Sequence, residues 1–460
     1  MQLREPTGAR AEPSARPAGA RPPGPRGSLL LGNLPEFARD RLAFFARHNR
    51  ELGDVVAGRF FNRRVYLLAH PDDVEQVLLV QNKNFVKHSF FFRHVTALFG
   101  RGLLTSEGDF WLRQRRLAAP AFHGKRIAAY GDVMVRFTER MLDGWRDGEA
   151  RDAHHEMMWL TMQIVAKTLF DNEVSRGDME VAHAFDAIVG EISVRLRLPL
   201  PIPDWVPLAR NRRYLAAVRR LDRLVYRFIA ERRADPRDRG DLLSMLLEAR
   251  DEDGHGMSDT QLRDEVVTIF LAGHETTAIA LSWAWYLLSR HPEAEARLGA
   301  ELDAVLGGRP PATDDLPRLV YAEQVVKEAM RLYPPAYVIG REAVADCEIG
   351  GWRIPAGATI FISQWAMHRD PRFFPDPEAF RPERWTKELE ETLPRYAYLP
   401  FGGGPRVCIG NRFAMMEAVL LLSSVARRFR LRLASAEAIQ PFPSVTLRPT
   451  GGVPVRLEAR

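Results

Sequence analysis

Two cysteines, Cys347 and Cys408, are all that the 460 residues contain, too few and too isolated for a disulfide framework. Their scarcity predicts a reducing, cytoplasmic setting. Lysine is also scarce: nearly all of the 65 basic residues are arginine, spread beside acidic residues rather than gathered in a stripe. That distribution argues against nucleic-acid binding. No apolar run suited to a signal peptide or membrane anchor opens the chain, and residues 1–27, rich in Pro, Arg, Gly and Ala, predict a flexible arm. No internal repeat is present. What remains is an ordinary globular composition, 46% hydrophobic and 27% charged, with a net charge of +6.

The periodicity is mostly helical. Residues 109–118, 127–148, 155–170, 178–192, 211–233, 240–249 and 258–290 predict helices, and "PDDVEQVLL" predicts a shorter one opened by Pro71. Strand signals are few. "DVVAGRFFNRRVYLLA" predicts a hairpin turning near Asn62 and Arg63, residues 346–362 predict strands, and "VTLRPTGGVPVRL" predicts a closing hairpin. The helix 258–290 is apolar nearly all round, as expected of a rod buried on every side, and Ser258 with Gln261 predicts its capping box. His274 and Glu275 in its middle would be expensive in lipid, so no transmembrane anchor is expected.

Within that rod "AGHETT", Ala272 to Thr277, is a polar break: small residues give access to the backbone, and Glu275 and Thr276 set an acid beside a hydroxyl. A zinc-protease reading fails because Ala278 stands where a second histidine would be needed. Glu328 and Arg331 lie three apart on one helical face, with Arg384 a candidate third member. Trp111 and Arg115, four apart, point an indole N–H and a guanidinium the same way, suited to a shared anion. Cys408 sits in the glycine-rich "FGGGPRVCIG", directly before an apolar helical pattern whose N-terminus would favour a thiolate. A phosphate loop is excluded because Asn411 follows Gly410, whereas a cysteine nucleophile stays open.

Together these residues resemble the haem–thiolate monooxygenases, the cytochromes P-450. Phe401, Gly404, Arg406, Cys408 and Gly410 match the fixed positions of that family's cysteine loop. Ala272, Gly273, Glu275, Thr276 and Thr277 match its oxygen-activating helix, and Glu328 with Arg331 its Glu-x-x-Arg pair. Pro382 to Arg384 match its later Pro-Glu-Arg element, and Trp111 with Arg115 its propionate-binding helix. The motifs run in the family's order over about residues 22–460, and "PPGPRGSLLLGNLPEF" is similar to the proline-rich start of membrane-bound members.

The resemblance implies a mainly α fold with a minor β-sheet region: one large domain, residues 28–460, with a long central helix over the haem. Cys408 would be the axial ligand of a b-type haem, and Trp111, Arg115, Arg341 and Arg406 would hold its propionates, with Phe401 shielding the sulfur and Gly410 giving clearance. Glu275 and Thr276 would relay protons while one oxygen atom of O2 is inserted into a C–H bond. Glu328, Arg331 and Arg384 would form a structural network. Phe91, Phe270, Ala272, Tyr337 and Val338 fall where substrate is bound, and their apolar character implies a lipophilic small molecule such as a fatty acid or terpenoid. Electrons from NAD(P)H would arrive through a ferredoxin- or flavodoxin-like partner. A peroxide-dependent or rearranging haem–thiolate enzyme and a non-enzymatic haem protein are the alternatives.

Overall fold

The computed structural model describes residues 21–87, 95–171 and 205–460, apart from positions 123, 236 and 238, with a few isolated positions between 188 and 194. Most of the helix expected over 178–192, most of the proline-rich segment after it, and Phe91 lie outside the described residues. The chain forms two compact units interleaved in sequence: Met1–Ser89 with Lys327–Cys408, and Phe90–Val326 with Ile409–Arg460.

The first unit is built on a five-stranded sheet. The predicted hairpin forms from Val55–Phe60 and Arg63–Leu68, turning through Phe61, whose φ is 52°, and Asn62. Thr359–Ile362 runs parallel to its second strand, and Ile339–Ala343 and Phe85–Lys87 complete the sheet antiparallel. Val55, Tyr66, Leu68, Ile360 and Ile362 point into the core of this unit, alternating along strands rich in β-branched and aromatic residues. Helix Arg41–Leu52 is capped by the Asp40 carboxylate, which accepts the Ala43 N–H at 2.9 Å. After Pro71–Glu75 the chain widens into a π-helical turn, Gln76–Val80.

The second unit is helical, with a small sheet formed by Ala150–Asp152, Pro454–Ala459 and Phe429–Leu433. Its longest helix, Asp259–Arg290, starts at the predicted Ser258–Gln261 capping box. At ~1.5 Å per residue it is roughly 48 Å long. Among the described residues it is also the one helix long and apolar enough to cross a membrane, but 78% of its most apolar window is buried inside the protein.

Two expectations need correction. The helix expected over 127–148 is Gly124–Asp143, ending at Gly144, whose N–H bonds to the Met141 carbonyl. The closing hairpin does not form as one unit: Leu447–Pro449 pairs with Pro441–Pro443, while Pro454–Ala459 joins the other sheet. Gly451 and Gly452, both at positive φ, swing the chain past Asp152, which accepts the Val453 N–H at 2.8 Å.

Candidate active site

The cysteine loop is held by its own backbone and by glycine. The Cys408 N–H donates to the Phe401 carbonyl at 2.9 Å, and Gly402 and Gly404 have φ of 70° and 64°. A Cβ on Gly404 would stand 1.8 Å from the Leu78 carbonyl oxygen, and one on Gly403 2.2 Å from the Tyr396 ring. Only glycine fits at either point. Cys408 is exposed in this frame. Cys347 is half-buried in a strand, and burial pushes its thiol up.

Glu328 and Arg331, both fully buried, form a bidentate pair with both contacts at 2.9 Å. Glu328 also accepts from Arg384 Nε at 2.9 Å, Trp385 Nε1 at 3.0 Å and the Arg381 N–H at 3.0 Å. Arg331 spends its remaining N–H groups on the carbonyls of His368, Pro377 and Ala379. Every lone pair and proton of the buried pair therefore has a partner, the condition under which such a pair is tolerated. His368 links the network to the cysteine loop. Burial, helped by the charge of Arg331, pushes its pKa down to about 3, and its neutral ring accepts the Leu399 N–H at 3.0 Å. The Leu399 carbonyl in turn accepts the Gly402 N–H at 3.0 Å. Sequence reasoning missed His368 and Trp385; a lone histidine in "AMHRD" carries no local signal of its partners.

Between the ends of the long helix, from 262 to 288, the positions 269, 272, 273 and 276 are the less buried ones, spaced i, i+3, i+4 and i+7. Ile269, Ala272, Gly273 and Thr276 thus form an open stripe on an otherwise buried rod. Thr276 Oγ1 donates to the Ala272 carbonyl at 2.6 Å. Phe270 does not belong to the stripe. It lies about 200° around the helix from Ala272, buried against Phe170 and His274 as part of the core. Ile269, not singled out from the sequence, takes the outward place.

Glu275 also turns away from its neighbouring hydroxyl. Its Oε1 accepts from Thr446 Oγ1 at 2.7 Å and from Arg448 Nε and Nη2 at 2.9 and 2.6 Å. Burial alone would raise its pKa, but Arg448 and Thr446 overcome this and hold the carboxyl below its usual range. Nearby, burial and the Arg448 charge keep His154 neutral, with a pKa of about 4. A second buried acid lies against this helix. Glu417, from Asn411–Arg428, is fully buried, and neither of its oxygens has a hydrogen-bond partner of normal geometry among the described residues. Burial raises its pKa to about 8, and the Thr277 hydroxyl pulls the other way too weakly to offset it.

The remaining candidates are distributed over both units. Trp111 and Arg115 are half-buried on helix Gly108–Ala118 in the second. Arg341 and Arg406 are half-buried in the first, Arg341 on strand Ile339–Ala343 with Nη1 on the Gly340 carbonyl at 2.9 Å. Tyr337 is 3% exposed, its hydroxyl pushed up by burial, and Val338 is half-buried.

The chain matches the family model for cytochrome P450 over residues 22–453. It is 42% identical to cyclooctatin synthase of Streptomyces melanosporofaciens over 426 residues, 92% of each chain. Identity is 39% to cyclooctat-9-en-7-ol 5-monooxygenase of the same organism, covering 91% of this chain and 89% of the relative. It is 36% to pentalenene oxygenase of Streptomyces avermitilis, covering 94% and 96%. The glycine-framed cysteine, the buried Glu328–Arg331 pair and the threonine break of the long helix thus sit within a match that spans nearly the whole chain, which belongs to the cytochrome P450 family of haem-binding monooxygenases.

Proposed function

We propose that this P450 hydroxylates a terpenoid, with electrons delivered from NAD(P)H by a separate ferredoxin- or flavodoxin-like protein in the cytoplasm, and that residues 28–460 act as one catalytic domain. The observation that carries the substrate class is that two relatives of similar length are named for oxidising pentalenene and cyclooctat-9-en-7-ol. A hydrocarbon or a near-hydrocarbon gives a site no charge to grip, so recognition falls to apolar shape. The open stripe of Ile269, Ala272 and Gly273 is apolar in that sense.

The cysteine loop fits a haem thiolate. Its sulfur is exposed, and the positions around it are so tight that a Cβ on Gly403 or Gly404 would collide with the protein. Cys408 would hold the haem through its thiolate, a soft donor suited to iron, and Trp111, Arg115, Arg341 and Arg406 would hold the propionates. Bound haem b supplies the iron chemistry that splits dioxygen. The chain's own residues supply protons and position. Thr276 bonds back to the Ala272 carbonyl and can turn outward to present its hydroxyl along the stripe. Glu275 is ionised and held by Arg448, so it serves as a proton donor only after releasing that guanidinium. Glu417 is the acid beside Thr277 that keeps its proton at neutral pH.

Two measurements test this reading. Reduced, carbon-monoxide-bound protein should show the strongly red-shifted Soret band of thiolate ligation, lost in Cys408→Ala and kept in Cys347→Ala. Turnover of a terpene hydrocarbon with NAD(P)H, ferredoxin and its reductase should place one atom of labelled O2 in the product. Label absent from the product, or turnover with peroxide but none with O2 and reduced ferredoxin, would overturn the monooxygenase reading.

A further inference from the structure

The segment after the N-terminal arm ends in a small, firmly built turn that turns three leucines outward. Leu29 is 91% exposed, Leu30 79% and Leu31 37%. Single exposed leucines need no explanation; the way this turn is held does. Ser28 and Gly32 close it with reciprocal backbone hydrogen bonds of 2.9 and 3.0 Å, and Ser28 Oγ accepts the Leu31 N–H at 3.1 Å. The Arg59 guanidinium reaches up from the neighbouring hairpin and donates to the carbonyls of Ser28 at 2.9 Å, Leu29 at 2.7 Å, Leu30 at 3.4 Å and Phe61 at 2.6 Å. The Leu31 carbonyl accepts the Phe61 N–H at 3.2 Å. Gly32, at φ 62°, allows no side chain, because a Cβ there would stand 2.0 Å from the Arg59 carbonyl oxygen.

Carbonyls that water would otherwise hydrate are thus satisfied from within the protein, while the side chains above them are apolar. Backbone that enters a medium without water must be satisfied in this way. Along the chain the surroundings are basic: residues 21–31 carry the exposed Arg21 and Arg26 and no acid, and Arg64 is exposed on the adjoining hairpin, where the acids near it are already paired, Asp346 with Arg353 and Glu342 with Arg63. The nearest acids along the chain are already engaged, Glu36 by Arg47 and His48, and Asp40 as a helix cap.

We propose that the Ser28–Gly32 turn is a lipid-docking tip, which sets Leu29 and Leu30 into the interface of an anionic membrane while Arg21, Arg26 and Arg64 meet its headgroups. A lipid surface fits better than a second copy of the chain. The apolar element is a projecting tip of a few side chains, far short of the ~800 Å² per partner that a stable protein interface needs. The shallow burial of an interfacial anchor, together with attraction of arginines to anionic lipid, is what such a tip can supply. The attachment is peripheral and independent of which substrate the enzyme oxidises.

The test is co-sedimentation of full-length holoenzyme with phosphatidylcholine vesicles, with and without phosphatidylglycerol. Wild type should bind the phosphatidylglycerol vesicles and lose binding as salt is raised. Leu29→Ser with Leu30→Ser should weaken binding by about tenfold or more, since each removes apolar area from the interface. Arg21→Gln with Arg26→Gln and Arg64→Gln should erase the preference for the anionic vesicles. An unchanged carbon-monoxide spectrum in each variant would establish that the fold and haem site are intact. Wild type that fails to sediment with either vesicle, leucine variants that bind as wild type does, or leucine-dependent dimerisation in light scattering would each overturn the proposal.

Discussion

Glu328, in one compact unit, accepts five hydrogen bonds: two from Arg331 and one each from Arg384, Trp385 and the Arg381 backbone. Glu417, in the other unit, is equally buried and has no partner of normal geometry among the described residues. The first has cations and donors in place of the water it lost. The second escapes the cost of a buried charge by keeping its proton. Glu275 stands between them, buried like both but with a single guanidinium and one hydroxyl holding its charge in place. The contrast is between a carboxylate held in place by five donors and an acid that keeps its proton with a threonine hydroxyl as its neighbour.

Removing the partner on the scaffold side should have the largest effect. Glu328→Ala leaves Arg331 buried without a counter-charge, and breaking such a pair costs about 3–5 kcal/mol. Expression and haem content should fall sharply, and chemical denaturation should show the loss directly; a stability near wild type would mean that the pair is dispensable.

Glu417 should give a smaller, pH-dependent effect. The native carboxyl holds its proton up to about pH 8, whereas the unfolded one releases it near 4.5. The unfolded state therefore binds fewer protons across that window, and stability falls as pH rises through it by about 1.4 kcal/mol per unit, or about 3 kcal/mol by pH 7. Glu417→Gln should flatten this slope in urea titrations at successive pH values. Glu265, also buried and raised to about 8, contributes its own slope to both proteins, so their difference isolates Glu417. Parallel slopes would mean that Glu417 ionises freely.

Arg448→Met should be the mildest of the three, about 2 kcal/mol, because Arg448 is partly exposed and Thr446 remains. Its sharper signature is the sign of a pH effect. Glu275 now contributes stability that is present above its unfolded pKa and lost as pH falls through its depressed native value. Without the guanidinium, burial would dominate and Glu275 would behave as Glu417 does, losing stability as pH rises.

The legible parts of this site were those whose partners are close in sequence. The glycines around Cys408, the i, i+3 spacing of Glu328 and Arg331 and the Ser258 capping box each declare themselves within a few residues. The partners of Glu275 do not. Thr446 and Arg448 are more than 170 positions away, in a segment whose alternation suggested a hairpin with strand 454–459. The face that Phe270 takes is hard to read for a related reason: in a helix apolar all round, composition gives no face, and only burial separates the stripe of Ile269 and Thr276 from the core side. Glu417 reads as one acid in an apolar helix, and nothing nearby in sequence says that no cation will meet it.

The carbonyl of Leu78 that blocks any side chain at Gly404 has a consequence for the order in which the protein is made. Leu78 lies in the π-helical turn Gln76–Val80, near the start of the chain, and the loop it braces is some 325 residues later. Their unit is assembled from two segments, and Cys408 is its last residue. During synthesis the brace therefore exists long before the loop, and the sulfur cannot take its final position until the ribosome has delivered the second of those segments. On the proposed thiolate ligation, haem capture through that sulfur would be a late event in biogenesis, and truncation anywhere before Cys408 would remove the proposed ligand.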